Sequence, residues 1–200
     1  MSLPPGFLAI GPIAHRAALV GRVIDRLGQG PLPGVSVEIT DSPPAYRTWL
    51  ATLRQGRPGA RPDRIATDGD GRFRWIDLPA GSYTLRASAP DPRYADATAT
   101  ASVAVNAAAS VEIALDPTAL AGRVNADNPA GPLAMVRVRM RDSGEVTFTA
   151  GDGSFTLSPV EPGATRAIEL SAQRYVTVTR TVSLQRGQTT TVPTIILSHS

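Results

Sequence analysis

Apolar and polar residues alternate in short runs along most of the chain, and this period of two predicts β-strands. In the run 35–40, Val35, Val37 and Ile39 are expected to face a core, while the three residues between them face solvent. Turn-forming residues separate such runs, and only one segment carries a sustained helical period. The pattern therefore predicts a chain built almost entirely of β-structure.

Two stretches combine a tight turn with the start of a strand. Asp70-Gly71 is a turn dipeptide, because glycine reaches positive φ without a Cβ clash, and Phe73 and Trp75 then alternate with arginines. A weaker version begins at Asp152-Gly153 and continues to Phe155. Each stretch is predicted to organise one β-sandwich. The residues expected to be buried are Val37, Ile39, Phe73 and Leu85 in the first copy and Val138, Phe155, Ile168 and Leu170 in the second.

Short motifs recur at fixed offsets. Gly21-Arg22-Val23 recurs at 122–124, an offset of 101, whereas Asp70-Gly71-Arg72-Phe73 recurs at 152–155, an offset of 82. A duplication with about 19 extra residues in the first copy explains both offsets. We therefore divide the chain into an N-terminal arm (1–16), a first sandwich (17–116, with an insertion at 41–64) and a second sandwich (117–200). The arm is expected to lie over the first sandwich or to dock on another subunit.

The insertion is predicted to contain the helix. Ala45–Gln55 places Tyr46, Trp49, Leu50 and Leu53 on one helical face, with prolines before it and a glycine after it. A proline-rich basic loop follows. The apolar face could seal an open end of the sandwich, or the insertion could be a docking loop, since long insertions often carry recognition. Both interpretations stay open.

Arginines alternate with apolar residues in the second copy, in the predicted strand 133–141. The apolar residues point inward, so the arginines form a ladder on the other face, which Glu145 is expected to offset in part. The ladder is either a solvated edge that discourages sheet pairing or a surface for an anionic or carboxylate-bearing partner. The candidate partner-binding residues of the chain are Tyr46, Arg47, Trp49, Arg54, Arg57, Arg61 and Arg64 in the insertion, and Arg137, Arg139 and Arg141 in the ladder.

Composition excludes several kinds of chemistry. All 20 basic residues are arginine and cysteine is absent, so lysine Schiff bases, disulfides and thiolate metal sites are impossible. The net charge is only +3 and only ten residues are aromatic, which is too little for a strong basic surface or for base stacking. We therefore expect no nucleic-acid partner. Residues 1–16 lack a basic n-region, and no window reaches 18 apolar residues, so neither a signal peptide nor a membrane span is evident. We expect synthesis in the cytoplasm.

The succession G-R-V-x-D, P-L-P-G-V-x-V, T-D-x-D-G-R-F and L-P-A-G-S-Y-T-L resembles the carboxypeptidase regulatory-like domain. The resemblance implies an all-β chain of two tandem transthyretin/prealbumin-like β-sandwiches of about seven strands each, with one short helix in the insertion. The second copy departs from the pattern, because Ala134-Met135 replaces Pro33-Gly34 and the tyrosine motif is missing. These motifs shape turns and cores, so they imply fold more than activity.

Few residues suggest catalysis. Asp68-Gly69-Asp70-Gly71 resembles the start of a calcium loop, but Pro79 stands where an EF-hand needs glutamate, so a β-turn is predicted. A transthyretin-like hydroxyisourate hydrolase would use several histidines and end in Y-R-G-S, whereas this chain has only His15 and His199 and ends in L-S-H-S. We expect no enzymatic activity, no metal and no cofactor.

Two functions of different classes remain. The first is a rigid accessory or assembly subunit that binds protein partners through the insertion and the arm. Its architecture resembles accessory subunits of phage-tail-like or contractile injection particles, and such a subunit would leave the cell with its particle. The alternative is a carbohydrate-binding module with an exposed aromatic platform. The platform candidates are Tyr46, Trp49, Trp75 and Tyr94, and burial of the tryptophans would argue against it.

Overall fold

The computed structural model describes residues 17–54 and 61–200, and this part contains sixteen strands and one helix. The strands form two β-sandwiches, which confirms the all-β fold class. The expectations for the N-terminal arm (1–16) and for Arg57 lie outside the described residues, as does the side chain of Arg54. In the described part, no helix is long and apolar enough to cross a membrane.

The first sandwich packs a three-stranded sheet on a four-stranded sheet. Its strands are β1 (Ala17–Asp25), β2 (Ser36–Asp41), β3 (Arg64–Ala66), β4 (Arg72–Ile76), β5 (Gly81–Ser88), β6 (Ala97–Val103) and β7 (Ala109–Leu115), and its helix is α1 (Pro44–Arg54). The sheet orders are β4-β1-β7 and β3-β2-β5-β6. Strand β7 runs parallel to β1, and the remaining pairs are antiparallel.

The second sandwich repeats this arrangement. Its strands are β8 (Ala119–Asp127), β9 (Ala130–Pro132), β10 (Arg137–Met140), β11 (Val146–Phe148), β12 (Ser154–Leu157), β13 (Gly163–Ser171), β14 (Val178–Leu184), β15 (Thr189–Thr191) and β16 (Ile195–Leu197). One sheet is β11-β10-β13-β14, and in the other β12, β15, β9 and β16 all pair with β8. Both β15 and β16 run parallel to β8, as β7 does to β1. Pro193 lies between β15 and β16 and cannot donate a ladder hydrogen bond.

The predicted alternation matches the two hydrophobic cores. All eight residues predicted to be buried, from Val37 to Leu170, are less than a tenth exposed. One core spans residues 18–115 and the other spans 120–197. Around Phe73 the strand β4 alternates strictly between exposed and buried positions. The period of two therefore sets the strand register in both copies.

A buried threonine fixes the same loop in both copies. Thr67 Oγ1 accepts a 2.9 Å hydrogen bond from Val35 N and donates a 2.7 Å hydrogen bond to Leu32 O. In the second copy Thr149 makes the equivalent bonds at 2.9 and 2.6 Å. Glycine is required at the nearby turn, because Gly71 has a φ of 71° and an added Cβ would lie 2.6 Å from Val23 O.

One predicted strand is shorter than expected. The run 133–141 was expected to be a single strand, but β10 covers only Arg137–Met140. Met135 has a φ of 59°, in the position where the first copy has Gly34 at 70°. A left-handed residue cannot continue a strand, so the chain turns before β10 begins.

Candidate protein-interaction surface

The insertion covers one end of the first sandwich. Tyr46 on α1 is buried, and its ring meets Tyr83 edge to face at a centroid distance of 5.6 Å. Trp49 stacks on Tyr46 at 5.2 Å, and Trp49 and Leu50 are partly buried against the same core. This is the sealing arrangement that the apolar helical face allowed. Tyr46 is therefore a core residue and is not accessible to a partner, contrary to its inclusion among the binding candidates.

The arginines of the insertion differ in their surroundings. Arg47 is exposed on α1. Arg61 pairs with Glu38 at 2.6 Å and with Asp63 at 3.0 Å, and these acids raise the pKa of its guanidinium, the hydrogen bond to Asp63 most of all. Arg64 donates a hydrogen bond to the Ser36 hydroxyl. The arginines at 61 and 64 thus bind the framework of the first sandwich itself.

The candidate aromatic platform of the carbohydrate-binding alternative is mostly buried. Trp75 is buried and its Nε1 donates a 2.9 Å hydrogen bond to Pro62 O. Tyr94 is also buried, and the side chain of Trp49 is only partly exposed to solvent. Three of the four platform candidates therefore lie in the core, which argues against the carbohydrate-binding alternative.

The arginine ladder lies on the outer face of a four-stranded sheet. Val138 and Met140 are fully buried, so Arg137 and Arg139 point outward, as predicted. Of the two alternatives for the ladder, the solvated edge is wrong, because β10 pairs with β11 on one side and with β13 on the other. Arg141 follows β10 and is exposed, although its N–H still bonds Ala167 O at 2.9 Å.

Exposed apolar residues stand beside these arginines. In the β10–β11 ladder Arg137 is opposite Phe148 and Arg139 is opposite Val146. Residues directly opposite on antiparallel strands lie on the same face, with Cβ atoms about 5 Å apart. Phe148 is 52% exposed and Val146 is 46% exposed. We call these four residues the β10–β11 face; Phe148 and Val146 were missed by the sequence reasoning, because only the strand register places them beside the arginines.

The first copy carries different side chains at the same positions. Ser36 and Ala66, which are opposite each other on β2 and β3, occupy the positions of Arg137 and Phe148. Glu38 and Arg64, the next outward-facing pair on these strands, occupy the positions of Arg139 and Val146. The two copies share hydrogen bonds, turns and register, so the framework does not require an aromatic residue or extra arginines at this place.

The ladder arginines lack ion pairs with the described residues. Glu145 was expected to offset Arg141, but it instead accepts a hydrogen bond from Ser143 and lies 4.0 Å from Arg93 of the first sandwich. Within the described part, no ion pair involves Arg137, Arg139 or Arg141. Glu169 lies opposite Arg139 on β13 without reaching ion-pair distance. The face therefore presents guanidinium groups whose hydrogen-bonding capacity is available to a partner.

The acidic turns bind their own backbone. Asp68 Oδ1 accepts hydrogen bonds from Asp70 N at 3.0 Å and from Arg72 N at 2.8 Å, as the predicted β-turn requires. Asp152 caps the second turn through Ser154, which holds the pKa of its carboxyl below the usual range. Among residues 17–54 and 61–200, no three His, Cys, Asp or Glu side chains cluster as metal ligands would.

Comparison with known proteins gives one family. Residues 18–116 match the family model of the carboxypeptidase regulatory-like domain. No curated protein sequence matches the chain at a significant level.

Several solved structures match the chain at low sequence identity. The shaft pilin SpaA from Lactobacillus rhamnosus GG is 12% identical, with 94% of this chain and 98% of that chain covered and a TM-score of 0.42. The TIE protein of Bacillus anthracis is 13% identical, with 92% and 34% covered and a TM-score of 0.44. One chain of a type II cohesin–X-dockerin complex from Acetivibrio cellulolyticus is 21% identical, with 40% and 56% covered and a TM-score of 0.35. The matches thus span about half of the cohesin–X-dockerin chain and a third of the TIE protein.

Proposed function

The first sandwich, residues 18–116, is a carboxypeptidase regulatory-like domain, and from this premise we propose that the chain is a non-enzymatic interaction subunit. It binds a protein partner through the β10–β11 face of the second sandwich. The partner presents carboxylates and an apolar side chain on an extended segment. Assembly into a larger complex, of which a phage-tail-like or contractile injection particle is one example, is the setting that this proposal favours.

One observation carries the proposal. At matching positions of a shared framework, Ser36 and Ala66 in the first copy become Arg137 and Phe148 in the second. The balanced pair of Glu38 and Arg64 likewise has an arginine and an exposed valine as its counterparts. Exposed apolar area and neighbouring like charges both cost stability in a free sandwich, so a partner that covers them offsets this cost.

The chemistry of the face indicates the kind of partner. Arginine and aromatic residues dominate the binding energy of many protein interfaces. Arg137 and Arg139 are two residues apart on one strand, which places their Cα atoms about 6.6 Å apart. That spacing matches alternate side chains of an extended peptide, so two carboxylates on one side of such a peptide could each receive a bidentate guanidinium.

A peptide pair tests the proposal directly. One synthetic peptide alternates glutamate with threonine and contains a single leucine, and the other has glutamine in place of every glutamate. We expect the full chain to bind the glutamate peptide at least about tenfold more tightly, which corresponds to about 1.4 kcal/mol. Added salt should weaken this binding, because the charges lie at the surface. Equal binding of both peptides would contradict the proposal.

The first copy supplies matched variants. The double substitution Arg137→Ser with Phe148→Ala gives the second copy the residues of the first, and we expect it to lose most of the peptide binding while the thermal unfolding temperature does not fall. The reciprocal variant, Ser36→Arg with Ala66→Phe, should create binding on the first sandwich. If the first double variant binds as the unsubstituted chain does, the partner surface lies elsewhere.

A further inference from the structure

The contact between the two sandwiches joins two different ends. Each sandwich has a head end, defined by the turn before its last strands (104–107 in the first copy, 185–188 in the second). Each also has a tail end at the opposite side, which combines a loop with the residues that follow the last strand. In the first copy these are the loop 91–96 between β5 and β6 and residues 116–118. In the second copy they are the loop 172–177 between β13 and β14 and residues 198–200. Within the chain, the head end of the second sandwich lies against the tail end of the first.

Specific hydrogen bonds make this internal contact. Arg186 Nε donates to Tyr94 O at 2.7 Å, and Gly187 N donates to Thr118 Oγ1 at 2.9 Å. Arg186 also lies 3.4 Å from the Asp96 carboxylate. The approach is close, because a Cβ added at Gly187 would overlap the Cβ of Ala95. Arg186 and the absence of a side chain at Gly187 are thus two features of this internal contact.

The tail end of the second sandwich repeats the backbone of the first tail end. In each copy the loop pairs with the residues after the last strand through the same two hydrogen bonds. These bonds are Thr118 N to Arg93 O (2.7 Å) and Ala95 N to Asp116 O (3.0 Å) in the first copy, and Ser200 N to Arg174 O (3.0 Å) and Val176 N to Ser198 O (2.8 Å) in the second. The surface that receives a head end inside the chain therefore exists a second time.

The head end of the first sandwich likewise repeats the head end of the second. Its turn closes with a hydrogen bond from Ala107 N to Ala104 O, as Gln188 N bonds Gln185 O in the second copy. Asn106 has a φ of 59°, and its counterpart Gly187 has a φ of 70°. Beside this turn lies a cleft of about 520 Å³, lined by Ala18, Leu78, Pro79 and the residues of the turn.

Both repeated ends expose an apolar side chain at the contact position. Val105 corresponds to Arg186 and is 76% exposed, and Val176 corresponds to Ala95 and is 50% exposed. The head end therefore has a valine where the internal contact has Arg186, and the tail end has a valine where the internal contact has the smaller Ala95. Two exposed apolar residues that lie on the two halves of one repeated contact indicate complementary surfaces.

We propose that copies of this chain associate head to tail, with the 104–107 turn of one copy on the 172–177 loop of the next. Asn106 and Val176 are larger than Gly187 and Ala95, so this contact is wider than the internal one and rests on apolar packing of Val105 and Val176. Gly81 is opposite Val103, at the start of the 104–107 turn, and Pro43 packs against Gly81. Helix α1 follows Pro43, so it borders the head end and lies next to the incoming copy. Such a contact uses two different surfaces and generates open filaments instead of closed dimers.

Sedimentation of the full chain over a range of concentrations tests the proposal. We expect a concentration-dependent series of oligomers with no single closed end point. Val105→Asp should block the head end and Val176→Asp the tail end, and each should raise the concentration needed for association by at least about tenfold. Thr100→Asp, in the exposed middle of β6, adds the same charge away from both ends and should change nothing.

Mixing the two end variants gives the decisive result. The Val105→Asp chain keeps its tail end and the Val176→Asp chain keeps its head end, so together they should form a one-to-one dimer that does not grow. A self-complementary interface would instead let one of the two variants dimerise with itself and leave the other monomeric. The proposal is overturned if the unsubstituted chain stays monomeric at every concentration, or if both valine variants assemble as it does.

Discussion

The Tyr94 hydroxyl donates a 2.9 Å hydrogen bond to Asp25 Oδ2, and this bond joins two buried side chains that are 69 residues apart. Asp25 Oδ1 also accepts from Leu27 N at 2.7 Å and Gly28 N at 2.8 Å, so the carboxylate closes the turn after β1 while it fixes the loop before β6. The same loop receives Arg186 of the second sandwich. The Tyr94–Asp25 bond therefore holds the surface on which the second sandwich lies.

Tyr94→Phe should destabilise the first sandwich. The substitution leaves the buried Asp25 carboxylate without its phenol donor, and the loss of a hydrogen bond to a charged group costs about 1.5–3 kcal/mol. Chemical denaturation measures the change. Tyr175→Phe is the matched control, because the second copy has Ala126 in place of Asp25, and this variant should stay within about 0.5 kcal/mol of the unsubstituted chain. Equal losses in the two variants would show that the bond contributes nothing specific.

Alkaline pH should destabilise the first sandwich through its buried phenols. Burial raises the pKa of Tyr83 from 10.0 to about 12. Burial, and then the hydrogen bond to Asp25, raise the pKa of Tyr94 as well. An acid whose pKa is higher in the folded state stabilises the fold fully below its unfolded pKa and loses that contribution as the pH rises. The loss for Tyr83 is therefore expected between pH 10 and about 12.

Phenolate absorbance and circular dichroism, followed together against pH, measure this transition. We expect phenol ionisation and loss of β-structure to coincide. Tyr83→Phe removes one ionising group, so its unfolding midpoint should move to higher pH even though the hydrogen bond to Pro79 O is lost. An unchanged midpoint in this variant would contradict the assignment to Tyr83.

The buried threonine of each copy provides a paired prediction. Thr67→Val and Thr149→Val keep the shape of the side chain but leave one N–H and one carbonyl without their partner hydroxyl. Each should cost about 1–3 kcal/mol, the usual penalty for unsatisfied buried polar groups, as measured by denaturation. The two losses should be similar, because the hydrogen bonds agree within 0.1 Å. A loss in one copy only would mean that the loops are not equivalent.

Much of the fold was predictable because it depends on local periodicity. Alternation alone placed Val138 and Met140 inside and Arg137 outside, since strand neighbours point to opposite faces. The late start of β10 could also have been recognised, because Met135 replaces a turn glycine of the first copy. These features follow from residues adjacent in sequence.

The candidate site was less predictable because it depends on register and packing. Phe148 lies opposite Arg137 only through the β10–β11 pairing, which no single run of residues reveals. Tyr46 carried the right helical period for a buried face, yet the period could not show that Tyr83 receives it. Long-range partners, and not local propensity, decide which aromatic residues remain available to bind.

The last prediction separates the two interpretations of the insertion. Tyr46→Ala removes a buried ring that packs on Tyr83 and Trp49, and large aromatic truncations in a core cost about 3–5 kcal/mol. Arg47→Glu changes an exposed residue of the same helix and should alter stability by less than about 0.5 kcal/mol. Denaturation of both variants therefore measures the sealing role alone.

If α1 also borders a head-to-tail contact between copies, Arg47→Glu should weaken self-association while the sandwich stays folded. Should Tyr46→Ala leave the stability unchanged, the helix does not seal the sandwich, and the packing described for the insertion is wrong.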